Sequence, residues 1–212
     1  MSADPVQSVA LAMTGASGAP YGLRLLELLI QAGVEVSLML SKPAQVVIGM
    51  ETDLSLPGRP AEIGRYLAER YAAADDQLHV YGREEWTAAV ASGSSFPQAM
   101  VVCPCTTGTL SAIACGNSRT LIERAADVCL KERRPLILVV RETPLSEIHL
   151  ENMLRLARMG ALMLPANPGF YHRPREIDDL VDFVVARVLD HLALPQELVA
   201  PWGGGSGPDY AS

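Results

Sequence analysis

Residues 135–140 read Pro-Leu-Ile-Leu-Val-Val, and no polar side chain interrupts the run to mark a face turned to water. A strand that is apolar on both sides must be covered on both sides, which is the situation of a parallel sheet flanked by helices. The rest of the chain repeats the theme. Short apolar runs at 9–13, 34–40, 78–81, 99–103 and 161–164 alternate with stretches of helical character at 21–32, 60–71, 106–114, 121–133, 146–159 and 176–192. In the last stretch Ile177, Leu180, Val181, Val184 and Val188 fall at helical spacing. Gly33 ends the first as a C-terminal cap. The expected fold class is α/β: a three-layer arrangement with a mostly parallel sheet covered by helices on both faces. Residues 1–201 read as a single domain and 202–212 as a Gly-rich tail, with Trp202 as a ring that packs the tail onto the body or a neighbour.

The chain has 212 residues, 49% hydrophobic and 19% charged, enough to bury a real core and far from the disordered class. Its net charge of -7 argues against a nucleic-acid groove, which needs a basic excess. A small anionic ligand stays open, because a few local cations or helix N-termini can hold one. The four cysteines, Cys103, Cys105, Cys115 and Cys129, form no CxxC pair, so they read as reduced thiols. Neither a signal-peptide start nor an apolar run of the roughly 18 residues needed to span a bilayer is visible, and the expectation is a soluble cytoplasmic protein without membrane contact.

Open parallel sheets bind ligands beyond the carboxyl ends of their strands. That rule selects residues 14–18, residue 41 onward, 104–109 and 141–142. Thr14-Gly15-Ala16-Ser17-Gly18 joins a strand to a helix, where small residues let backbone N–H groups approach a phosphate. Thr106-Thr107-Gly108-Thr109 offers three hydroxyls at another helix start, although Thr106 or Thr107 could be a simple N-cap. Two hydroxyl-rich helix starts on one sheet suit a phosphorylated cofactor. Arg124, Asp127 and Lys131 share one helix face, as a site or as a solvated charge ladder. Arg141-Glu142 follows the most apolar strand directly, as a site or as a strand-end ion pair. Tyr171 could offer its hydroxyl to phosphate or anchor packing. Arg187 could be a solvated helix residue, and His149 and His172 read as structural or surface residues.

The Thr-Gly-Ala-Ser-x-Gly start also occurs in short-chain dehydrogenases, which need a Tyr-x-x-x-Lys pair. Here Tyr66 meets Arg70, Tyr71 meets Asp75 and Tyr171 meets Arg175, so that class is excluded.

In order and spacing, Thr14-Gly-Ala-Ser-Gly18, Ser41-Lys42, Glu51-Thr52, Ala91-Ser-Gly-Ser-Ser95, Pro104-Cys-Thr-Thr-Gly-Thr-Leu-Ser111, Leu121-Ile-Glu-Arg-Ala-Ala-Asp-Val128, Leu130-Lys-Glu-Arg-Arg-Pro135, Val140-Arg-Glu142, His149-Leu-Glu-Asn-Met153 and Pro168-Gly-Phe-Tyr171 resemble the UbiX-type flavin prenyltransferases. These belong to a wider group of FMN-binding, cysteine-decarboxylase-like flavoproteins. The resemblance implies a Rossmann-like fold. It also implies a reaction in which reduced FMN takes a dimethylallyl group from dimethylallyl phosphate at N5 and then C6, giving prenylated FMN and phosphate. The product serves a separate UbiD-type decarboxylase. A homo-oligomer, often a dodecamer with sites between subunits, is implied as well.

By position, Gly15, Ala16, Ser17, Ser41, Thr106, Thr107, Gly108, Thr109 and Arg141 match the FMN contacts. Tyr171 and Arg187 match the prenyl-phosphate ligands, joined by Lys131, Arg124, Ser92 and Gly93. Ser17, Glu51, Glu142 and Lys131 are the catalytic candidates, the first three for proton handling. A departing phosphate needs cations and hydroxyls where charge develops, and an allylic cation-like centre needs a water-poor pocket. Arg and Lys can supply the charge, and no Asp-rich cluster of the magnesium-dependent kind is present, so no metal is expected. Thr106 stands where many relatives have serine and keeps the hydroxyl. An FMN-dependent cysteine decarboxylase would need a His near the first helix and an Asn in the Pro104–Thr109 segment, and both are missing. A non-catalytic flavin carrier would leave Lys131, Tyr171 and Arg187 without purpose.

Overall fold

The computed structural model describes residues 4–200. Its sheet has β1 (Ser8–Met13) near the centre, β2 (Glu35–Leu40) and β3 (Leu78–Tyr81) to one side, and β4 (Ala99–Cys105), β5 (Leu136–Val140) and β6 (Leu162–Met163) to the other. Every pairing is parallel, in the order β3-β2-β1-β4-β5-β6. Strand order therefore reverses direction between β1 and β4. Such a switch point opens a crevice at the carboxyl edge, because the loops on either side diverge.

The apolar strands are explained by their two-residue period. On β5, Ile137 and Val139 belong to one buried cluster, while Leu136, Leu138 and Val140 belong to the other. The first cluster is covered by α1 (Ala19–Gln31), α3 (Pro60–Tyr71) and α7 (Ile177–His191), through residues such as Leu29, Leu67 and Val185. The second lies under α4 (Thr107–Ala114), α5 (Leu121–Lys131) and α6 (Glu147–Arg158), through Leu110, Ala126 and Leu156. Gly22 lets α1 settle onto β4. A Cβ there would stand 2.3 Å from the Cys103 carbonyl oxygen and 3.0 Å from Met13 Sδ.

The expected elements are present with ends shifted by a residue or two, and three details differ. A helix not expected from sequence, α2 (Lys42–Glu51), follows β2 directly. Its Val46-Val47-Ile48-Gly49 stretch has weak helix propensity, and only Ala44 and Ile48 are buried, so the periodic signal is faint. The Ser41 cap and proline in its first turn start it instead. Strand β4 continues past residue 103 through the cis Cys103–Pro104 peptide to Cys105. Helix α4 consequently begins at Thr107, with Thr106 as its N-cap.

Candidate active site

The two sides of the switch point are tied together by Thr14, which is 3% exposed. Its hydroxyl donates to the Pro104 carbonyl at 2.8 Å and accepts from the Thr106 amide at 2.8 Å. Its own amide also donates to Pro104 O, at 3.1 Å. The turn after β1 and the turn after β4 thus hold a fixed relation, although they are far apart in sequence.

The turn after β1 packs tightly on α2. A Cβ on Gly15 would meet Pro43 Cβ at 2.3 Å, so only glycine fits. Gly18 has φ 105, a left-handed conformation suited to glycine. The start of α1 is occupied from within the chain: Glu51 Oε2 accepts from the amides of Gly18 and Ala19, both at 2.8 Å. Desolvation pushes the Glu51 pKa up. The Ser17 hydroxyl, the two amides and the Arg141 charge outweigh it and hold the carboxyl below its ordinary value. The amides of Gly18 and Ala19 therefore serve a carboxylate rather than an incoming phosphate. In the rest of the turn Ser17 is exposed, Gly15 partly so, and Ala16 is buried with its side chain turned into the core. Arg141 arches toward the turn, its Nε donating to Ser17 O at 3.1 Å.

Arg141 and Glu142 do not pair with each other among the described residues. Glu142 turns to α4, accepting from the Thr107 hydroxyl at 3.2 Å. Thr106 Oγ1 accepts from the Thr109 amide at 3.1 Å and lies 3.0 Å from Thr109 Oγ1, so it is both cap and part of a hydroxyl cluster. Gly108 is exposed, and a Cβ there would find nothing nearer than Thr106 Oγ1 at 3.9 Å. The first turn of α4 is open to close approach from outside. Ser41 caps α2 by accepting from the Ala44 amide at 3.1 Å. Beside these residues lies a cavity of about 260 Å³, lined by Ser41, Lys42, Tyr81, Arg83, Thr109 and Thr120 among others. The N-termini of α2, α4 and α5 converge on it, since Ser41 and Thr120 are N-caps and Thr109 lies in the first turn of α4. Two cations and three positive helix ends favour an anion such as a phosphate there, with the Glu123 carboxylate, also in the lining, as an opposing charge. Lys42, Arg83 and Thr120 had no distinguishing signal in sequence, because their meeting depends on three separate elements.

The remaining candidates form two further groups away from this cradle. Arg124 Nε donates to the Ala91 carbonyl at 3.1 Å and its Nη1 meets Asp127 at 2.9 Å, fastening the Ser92–Gly93 loop to α5. Lys131 pairs with Glu132, whose carboxylate fills the space over Gly93. The charge ladder is thus real for Arg124 and Asp127, while Lys131 engages the next residue along the chain instead. The 11-residue helix α5 starts at the cavity with Leu121, and at about 1.5 Å per residue Lys131 ends roughly 15 Å away. The third group lies on the opposite layer. The Tyr171 ring meets Phe183 of α7 edge-on at 5.7 Å, and Arg187, one turn further along α7, pairs with Asp190 at 2.6 Å. His149 is structural: its Nδ1 completes a capping box at the start of α6. Trp202 and the tail lie outside the described residues.

All four cysteines are free thiols. Burial pushes the Cys103 and Cys129 thiols up, and lifts Cys105 to about 12, so the two beside the cradle, Cys103 and Cys105, are poor nucleophiles. Among the described residues no helix is long and apolar enough to cross a membrane, and no group of three or more His, Cys, Asp or Glu side chains could hold a metal ion.

Comparison with known proteins gives a consistent result. The Flavoprotein family profile matches residues 2–189. The chain is 58% identical over 197 residues to the flavin prenyltransferase UbiX of Pseudomonas aeruginosa, covering 93% of this chain and 94% of that protein. It is similar to the crystal structure of AnUbiX (PadA1) in complex with FMN and dimethylallyl pyrophosphate, with TM-score 0.83, 42% identity and coverage of 94% of this chain and 99% of that one. It is also similar to the dodecameric FMN-dependent UbiX-like decarboxylase of Escherichia coli O157:H7, with TM-score 0.81 and 44% identity over 93% of this chain and 100% of that one.

Proposed function

The chain belongs to the Flavoprotein family and is a flavin prenyltransferase of the UbiX type, and we propose that it moves a dimethylallyl group from dimethylallyl phosphate to N5 and then C6 of reduced FMN, releasing phosphate. The observation that carries the detailed reading is the cradle at the switch point: an open first turn on α4, the Gly15–Ser17 backbone under Arg141, and an adjoining cavity built for an anion. Those features fit FMN. Its phosphate goes between the starts of α2, α4 and α5, within reach of Ser41, Thr109, Lys42 and Arg83. Its ring system lies along Gly15, Ala16 and Ser17, where the Arg141 guanidinium offsets the negative charge of the reduced form.

The reduced flavin supplies the nucleophile, and the chain supplies everything else. Attachment at N5 releases the N5 proton as phosphate leaves, and closure onto C6 moves one more, the prenyl alkene taking up a proton at its inner carbon while C6 gives one up, so groups that accept and return protons are needed beside the ring. Glu51, held ionised next to Ser17, and Glu142, next to Thr107, stand there. The leaving phosphate needs cations where its charge grows, the role assigned to Arg187, Lys131 and Arg124, with Tyr171 and the Ser92–Gly93 loop as hydrogen-bond partners.

Within one chain Arg124 and Lys131 lie on α5, with Lys131 at its far end from the cavity, while Tyr171 and Arg187 lie on the opposite layer. We therefore place the prenyl-phosphate half of the site between copies, in a homo-oligomer of dodecameric kind. Exposed apolar side chains support this: Ile148, Leu150, Leu154 and Met159 on and just beyond α6, Met50 on α2, and Phe170 beside Tyr171. The product goes to a UbiD-type decarboxylase in the cytoplasm. The test is anaerobic incubation with reduced FMN and either dimethylallyl phosphate or its pyrophosphate. The expected product is a flavin heavier by one C5H8 unit, with phosphate released from the monophosphate. Unmodified FMN in both arms refutes the proposal.

A further inference from the structure

Among the described residues, the buried side-chain nitrogens or oxygens lacking a hydrogen-bond partner are Nδ1 and Nε2 of His172. The imidazole lies flat on Phe183, with centroids 5.3 Å apart and planes 12° apart. Tyr171 stands edge-on to both rings, at 6.0 and 5.7 Å. Buried polar groups are nearly always paired, and an unpaired one carries its full desolvation penalty. Stacking does not call for nitrogen: a phenylalanine would cover Phe183 equally well and strand nothing. Asp179 interacts with the imidazole electrostatically without hydrogen-bonding to it, so both nitrogens remain available to a ligand that meets the loop spanning residues 168–175.

The surroundings indicate what that ligand is. Tyr171 is the adjacent residue, and Arg187 lies four positions beyond Phe183, on the same side of α7. Both are among the residues assigned to the leaving phosphate. Phosphate oxygens accept hydrogen bonds, and an imidazole carries at least one N–H in either protonation state. The loop is held to α7 by this ring cluster, with Gly169 allowing the close approach: a Cβ there would lie 2.8 Å from the Tyr171 ring and 2.9 Å from Phe183. Phe170, beside it, is 69% exposed.

We propose that His172 is a further ligand of the leaving phosphate: when the prenyl phosphate binds, the loop shifts and turns an imidazole N–H onto a phosphate oxygen beside Tyr171 and Arg187. The inference rests on the prenyl-transfer reading. The test uses the full chain loaded with oxidised FMN, in which no transfer occurs, titrated calorimetrically with dimethylallyl phosphate; anaerobic turnover is measured in parallel. His172→Phe keeps the stack and loses the nitrogens. It is expected to weaken binding and raise KM about tenfold, or ~1.4 kcal/mol, with FMN affinity unchanged and thermal midpoint no lower. His172→Asn keeps an N–H donor and is expected to fall between the two. A His172→Phe protein that binds and turns over like the wild type overturns the proposal and leaves the prenyl-transfer reading intact. Wild-type protein yielding no prenylated flavin overturns both. If His172→Phe does not fold, wild-type affinity in both His172→Ala and His172→Asn overturns the proposal.

Discussion

Thr14→Val removes one hydroxyl from the centre of the fold and almost nothing else, because valine copies the shape of threonine. The lost atom makes two hydrogen bonds of 2.8 Å across the switch point, one to Pro104 O and one from the Thr106 amide. Pro104 O keeps the bond from the Thr14 amide, so that carbonyl is not orphaned. The Thr106 amide loses its partner. A typical net bond contributes about 1 kcal/mol and a stranded partly buried donor costs about 1–3 kcal/mol, so the sum is roughly 2–4 kcal/mol. For a domain of this size each kcal/mol shifts Tm by about 2–4 °C, which predicts a fall of roughly 4–16 °C. Flavin affinity should fall as well, since Thr106 anchors the start of α4. Scanning calorimetry on flavin-free protein and fluorescence titration with FMN measure the two effects. Thr14→Ser, which retains the oxygen, is the control and should lose much less. A Thr14→Val protein melting within a degree of the wild type, or a serine variant as damaged as the valine one, refutes the assignment of Thr14 as the tie between the turns.

The Glu51 carboxyl is held below its ordinary value of 4.5, so its contribution to stability is present above that pH and fades as pH falls through the lower folded value. Glu51→Gln should melt below the wild type at neutral pH, with the gap closing as pH falls below 4.5; a gap independent of pH contradicts the helix-capping role. If Lys131 and Arg187 reach one site from different copies, co-assembled Lys131→Ala and Arg187→Ala chains in equal amounts should recover activity at about one quarter of the sites. No recovery would place both residues in a single copy.

The sheet and most helices were legible because burial on both faces leaves a local mark: β5 has no polar residue, and α7 repeats apolar residues at helical spacing. Helix α2 left no such mark, since only Ala44 and Ile48 are buried and Val47 packs against the core while partly exposed. The cradle residues Gly15, Thr106 and Arg141 were legible as residues that directly follow strands. Their partnerships were not. Glu51 reaches back 33 positions to the Gly18 amide, and Arg141 crosses 124 positions to Ser17. Neither link leaves a periodic signature. His172 reads in sequence as a structural or surface residue, because only the stacked geometry reveals that its buried nitrogens lack a hydrogen-bond partner.

The division of the site follows from the architecture. In a parallel sheet the turns after strands share one edge, so everything needed to grip a flavin can come from short segments of one chain. The helices run back toward the other edge, and residues late in them, such as Lys131 on α5 and Arg187 on α7, are carried away from that edge on opposite layers. No side-chain rotation spans a helix of three turns. On the proposed assignment a single chain can hold FMN but cannot by itself assemble the cations around a departing phosphate. On that assignment flavin binding and prenyl transfer should be separable, the first belonging to the fold and the second to the assembly. An isolated subunit would behave as a flavin carrier, and turnover would appear only where the late-helix cations of neighbouring copies close over its cradle.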